Sequence, residues 1–145
     1  MLTEKMYWCS VLRRLIDIVI YLAERNLSFR GTTEKLGAYD NGNFLGFVEL
    51  IAQYDPILLE HSRRAQNKEI ADHYLGPVIQ NEIINVVGTE VQKEILLEVK
   101  AAKYYAVILD GTPDFSHDEQ ITIILCTVKV MPGNEISVKE NFLGF

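Results

Sequence analysis

The residue best placed to do chemistry is Asp110. It directly follows Tyr105-Ala-Val-Ile-Leu109, a short apolar run with no polar alternation. Such a run predicts a strand buried on both faces. A carboxylate then emerges at the strand's end, where open sheets commonly place ligands and metals. Two readings compete for it. One makes Asp110 a ligand for hard divalent cations, which take oxygen donors. The other makes it an ordinary turn aspartate that opens a loop from Gly111 to Glu119. Asp114, Asp118 and Glu119 cluster in the same loop. Acidic side chains favour solvated turns, so these three, and His117 beside them, are read as loop residues rather than as partners of Asp110.

Other chemistries find less support. Cys9 and Cys126 are the only cysteines, and His61, His73 and His117 are scattered. Zinc sites usually show closely spaced ligand pairs and disulfide frameworks need more cysteines, so neither is expected, and both cysteines read as core fillers. Ile108-Leu-Asp-Gly-Thr112 resembles the haloacid-dehalogenase phosphatase signature, in which a nucleophilic Asp stands two residues before a second Asp followed by Gly-Thr. Here the nucleophile position is Ile108, and a hydrocarbon side chain cannot attack phosphorus. The actin-like ATPase pattern of Asp, any residue, Gly, Thr is one residue longer than the run present.

The elements that must position Asp110 fall into two halves. From Tyr7 to Asn26, Val11, Leu12, Leu15, Ile16, Val19 and Leu22 recur at helical spacing, which predicts an amphipathic helix. A polar connection from Gly31 to Gly42 leads to Asn43, read as the N-cap of a helix over Phe44 to Tyr54. Asp55-Pro56 ends that helix and starts another over Ile57 to Arg64. The polar segment His61 to His73 is expected to be mobile or frayed. Gly76-Pro77 opens a helix through Val87. Gly88 is expected to break or kink it, with Thr89 and Gln92 at capping-box spacing for a further helix from Glu90 to Lys103. At Tyr104 the period changes. The apolar run up to Leu109, a β-branched stretch from Gln120 to Met131, the turn Pro132-Gly133-Asn134 and a last run from Glu135 to Phe145 predict an antiparallel meander. The expected division is therefore 1–103 helical and 104–145 strands.

Bulk properties narrow the function classes. The 145 residues suit one domain. With 48% hydrophobic and 23% charged residues the chain is too apolar for disorder. No apolar stretch approaches the roughly 20 residues of a membrane helix. Neither a basic flank nor a small-residue cleavage site marks a secretory signal at Met1 to Lys5, so an intracellular protein is the default. The formal net charge is -6, whereas modules that grip phosphates through counterion release are usually basic. DNA binding is not expected from this chain alone.

Beyond single residues, an ordered set of stretches resembles one family. Leu12-Arg-Arg-Leu-Ile-Asp-Ile, Leu22-Ala-Glu-Arg-Asn-Leu-Ser-Phe-Arg-Gly31, Asn41-Gly-Asn-Phe-Leu-Gly46, Tyr54-Asp-Pro, Ile79-Gln-Asn-Glu-Ile-Ile84, Ile108-Leu-Asp-Gly-Thr-Pro-Asp114, His117-Asp-Glu-Gln120 and Phe142-Leu-Gly-Phe145 are similar to the domain of unknown function in zinc-finger MYM-type protein 1-like proteins, relatives of hAT-superfamily transposases. The resemblance runs from about Trp8 to Phe145; its specificity lies in the order of the set, since no single stretch is diagnostic.

The resemblance implies an α+β fold: an amino-terminal helical region, then a three-stranded antiparallel meander that is the first part of a truncated RNase H-like fold. It implies that Asp110, and no other residue here, is the first metal-binding carboxylate of an incomplete set. Complete relatives use Mg or Mn, and their second Asp and their Glu correspond to positions beyond Phe145. The implied function is a transposase-derived fragment without catalysis of its own, nuclear by the same resemblance. The alternatives are a protein-interaction or regulatory module that engages related full-length chains or other proteins, and a metal-dependent nuclease completed by carboxylates from other chains. Gly111, where relatives often have a larger residue, and Cys126-Thr127, where they often have a basic and an aromatic one, depart from the family pattern. In an RNase H-like sheet the first strand is central, so without a later parallel strand Tyr104 to Leu109 is expected to carry an open edge.

Overall fold

The computed structural model describes residues 3–113, 119–130, 133 and 135–144. Among them four helices precede a three-stranded antiparallel sheet, an α+β arrangement. The chain forms two compact units, Met1–Val87 and Gly88–Phe145.

In the first unit, helix α1 (Glu4–Glu24) buries Val11, Leu15, Ile18, Val19 and Leu22, the stripe that its helical periodicity predicts. The stripe packs with Phe44, Leu45 and Val48 of α2 (Gly42–Ala52) and with Leu58 of α3 (Pro56–Gln66). Asp55 caps α3 as expected: its Oδ1 accepts the N–H groups of Ile57 at 2.8 Å and Leu58 at 3.1 Å. At α2 the cap lies earlier than the sequence predicts. Asn41, not Asn43, precedes the helix, and its amide donates to Glu49 at 2.6 Å instead of capping. Asn43 lies in the first turn and donates to the Ser28 carbonyl at 2.7 Å. Two glycines determine this. Gly42 has φ +83, and a Cβ on Gly31 would stand 2.1 Å from the Asp40 carbonyl oxygen, so the chain crosses itself where only glycine fits.

Helix α4 (Pro77–Ala101) runs unbroken through Gly88. The expected break there, and the separate capped helix from Glu90, do not occur. A glycine inside a helix costs about 1 kcal/mol relative to alanine. Burial of Ile83 before it and Ile95 after it outweighs that cost. Cys9 is exposed rather than a core filler, because it falls off the buried stripe of α1.

The second unit begins at Gly88, inside α4, and contains β1 (Tyr104–Pro113), β2 (Glu119–Val130) and β3 (Ile136–Gly144), in the order β1-β2-β3. Helix α4 ends at Ala101 and β1 begins at Tyr104. Compactness divides the chain earlier because the end of α4 is tied to the sheet. Glu98 accepts Lys129 at 3.0 Å and Lys139 at 2.9 Å, and Gln92 donates to the Leu143 carbonyl at 2.8 Å. The β1–β2 ladder runs without a bulge from Tyr104↔Val128 to Pro113↔Glu119, while β2–β3 shifts register between Ile123 and Ile124.

Candidate functional site

Strand alternation assigns each side chain of the sheet to a face. Lys129 and Lys139 reach Glu98, so α4 lies over the face that also bears buried Leu125 and Thr127. Asp110 pairs with Thr122, and its neighbours across the ladder are Ile108↔Ile124 and Ala106↔Cys126. These residues occupy the opposite face.

Two expectations about this position are corrected. β1 is not buried on both faces: Tyr105 is 61% exposed, Val107 51%, Ile108 44% and Leu109 65%. Among the described residues β1 pairs on one side only, and the helix end covers the middle strand, where Leu125 and Thr127 sit, rather than this edge. Nor does Asp110 stand where the strand ends. The ladder continues through Gly111↔Ile121 and Thr112↔Gln120, so part of the expected loop from Gly111 to Glu119 is paired strand. Asp110 is thus an exposed side chain within an edge strand. The positions Asp114, His117 and Asp118 lie outside the described residues.

No group of three or more His, Cys, Asp or Glu side chains among the described residues could hold a metal ion. Ladder geometry shows why for Glu140, the nearest carboxylate on the same face among the described residues, which pairs with Cys126. At about 3.4 Å per residue along a strand and about 4.8 Å between strands, Asp110 and Glu140 are on the order of 17 Å apart. Carboxylate oxygens that share one divalent cation each lie within about 2.6 Å of it. The described residues therefore do not fit the ion set that an RNase H-like centre requires.

A second cluster was missed at the sequence level. The segment from His61 to His73 is ordered helix in its first part, where α3 continues to Gln66 and His61 is fully buried; beyond Gln66 it is irregular and mostly exposed. The His61 Nε2 lies 2.7 Å from the His73 carbonyl oxygen and its Nδ1 lies 2.9 Å from the Tyr7 hydroxyl. A carbonyl only accepts, so Nε2–H donates to it and Nδ1 takes the tyrosine proton. Trp8 meets the imidazole edge-on at 5.7 Å and Tyr74 at 5.2 Å. Burial, with Arg64 and His73 nearby, pushes the His61 pKa down, against the raising effect of the His73 carbonyl. The signal was in the sequence: Leu58, His61, Ser62 and Ala65 share one helical face. The polar composition of the segment obscured it.

A family model described as ZMYM1/FAM200, RNase-like domain, covers residues 3–145. No solved structure matches the chain.

Proposed function

The chain belongs to the ZMYM1/FAM200, RNase-like domain family, and from that premise we propose that it is a transposase-derived, hAT-like domain whose own residues carry no catalysis. Cutting and joining nucleic acid by in-line displacement uses two metal ions that stabilise the attacking and leaving oxygens, and several carboxylates must hold them. The observation that carries the reading is the setting of Asp110 among the described residues: it stands on an edge strand with Glu140 too far along the same face to share an ion. In this proposal Asp110 is the first metal-binding position. It becomes useful only where further carboxylates, with Mg or Mn, are brought to it. The proposal includes a nuclear location, which rests on resemblance alone. The chain's acidic balance of -6 supports a DNA grip carried by other parts of such proteins.

The test is a nuclease assay on supercoiled and single-stranded DNA with Mn and Mg. The chain should give no cleavage above background, and Asp110→Asn should be indistinguishable from it. Metal-dependent cleavage abolished by Asp110→Asn would replace this reading with an active nuclease. The exposed apolar residues on both faces of β1 favour a second reading, an interaction module. Co-elution with a full-length relative on size exclusion would support it, and separate elution would remove it.

A further inference from the structure

Independently of Asp110, the first unit contains a buried histidine that ties three pieces of chain together. His61 of α3 is held by Tyr7 of α1 and by the carbonyl of His73 in the connection between α3 and α4. That connection is strained, since Lys68 (φ 57) and Tyr74 (φ 58) adopt left-handed backbone that L side chains rarely take. Such conformations persist where surrounding contacts enforce them. At one end the connection is fixed by the Arg63–Glu69 ion pair at 2.6 Å and by the Glu69 N–H on the Arg64 carbonyl. At the other end buried Leu75 accepts from Gln80 at 3.1 Å. Between these anchors, the hydrogen bond from His61 to His73 and the contact of Tyr74 with Trp8 hold it down.

We infer that His61 is an acid-sensitive latch, whose protonation releases the connection between Glu69 and Leu75 from α1 and α3. Both ring nitrogens are already committed and the ring is fully buried, so an added proton places a cation in a closed aromatic site. The groups that face it offer no counter-charge. From α1 there is the Tyr7 hydroxyl, from the connection His73, and from α3 the Arg64 guanidinium, itself 5.2 Å over the Tyr7 ring. Glu60, the nearby carboxylate, is engaged by Arg63 at 2.8 Å and Arg64 at 2.7 Å. His73 Nδ1 accepts the Leu75 N–H at 3.1 Å, so a proton there would also cost a bond, and the test must separate the two histidines. The direction of the His61 shift agrees: the closed form is favoured above the ordinary histidine value of 6.5 and loses that advantage as pH falls below it, toward the lower folded value.

Limited trypsin cleavage after Lys68 in the full chain, normalised at each pH to an unstructured peptide of the same sequence, reads the release directly. Cleavage should rise about tenfold between about pH 7.5 and about pH 5.5, as expected when a proton favours a locally open state. His61→Gln, neutral throughout, should remove the rise, and His73→Gln should keep it. A flat wild-type profile, or a rise that survives in His61→Gln, overturns the latch. If His61→Gln does not fold, the wild-type chain decides the question through nitrogen-resolved imidazole signals. Protonation of the Nε2–H form of His61 must coincide with the rise in cleavage and with loss of the Trp8–Tyr74 contact, and protonation without either overturns the inference.

Discussion

Asp55 shows how much a single side chain can be asked to do. One carboxylate oxygen caps α3 through the amides of Ile57 and Leu58, and the other accepts Arg14 of α1 at 2.7 Å. Burial alone would raise its pKa, but Arg14 and the two amides outweigh burial and hold it below the ordinary carboxylate value of 3.8. A carboxyl lowered in the folded state contributes stability that is present above its unfolded value and lost as pH falls through its folded one. Asp55→Ala should therefore cost about 0.5–2 kcal/mol for the cap, with some added loss from Arg14. In urea titrations the deficit should be full near neutrality and vanish in strong acid. A deficit that does not change with pH would assign the loss to packing. The cap was legible because Asp-Pro is a local signal that no distant contact alters. The helical face of His61 was legible too, but its partners were not, because Tyr7 and His73 meet the ring only in the folded chain.

At the level of elements, α4 is where local and tertiary preferences disagree. Gly88 and the Thr89 to Gln92 spacing favour a break, yet Pro77 to Ala101 is one helix. A Cβ on Gly88 would meet nothing within 4 Å. Gly88→Ala should thus stabilise the chain by about 1 kcal/mol, since it restricts the unfolded state and adds no clash. A chemical-denaturation midpoint that falls would mean that the helix needs flexibility there. The three strands were legible from their period, but their exposure was not. Tyr105, Val107 and Leu109 form the kind of apolar run that a doubly covered strand shows, and they are exposed because the cover of a strand comes from its neighbours, not from its own residues.

For the whole molecule, charge and composition make the broadest statements. No helix among the described residues is long and apolar enough to cross a membrane. With a formal charge of -6, the chain should show no measurable affinity for duplex DNA at physiological salt in fluorescence anisotropy, because non-specific binding is driven by counterion release to basic groups. Salt-sensitive binding with a steep slope would show a local basic surface that the net charge conceals.

The sequence by itself determined that helices precede three strands, that Asp55-Pro56 caps and starts a helix, and that an apolar strand leads into Asp110. Caps, periodicity and turn residues act within a few positions of one another, and so survive without a fold. Only the tertiary structure decided that Asp110 is exposed within an edge strand, that Glu140, the nearest carboxylate on its face among the described residues, lies too far off to share an ion, and that His61 is enclosed. Those properties depend on which residues distant in sequence are brought alongside, and pairing register and packing set that.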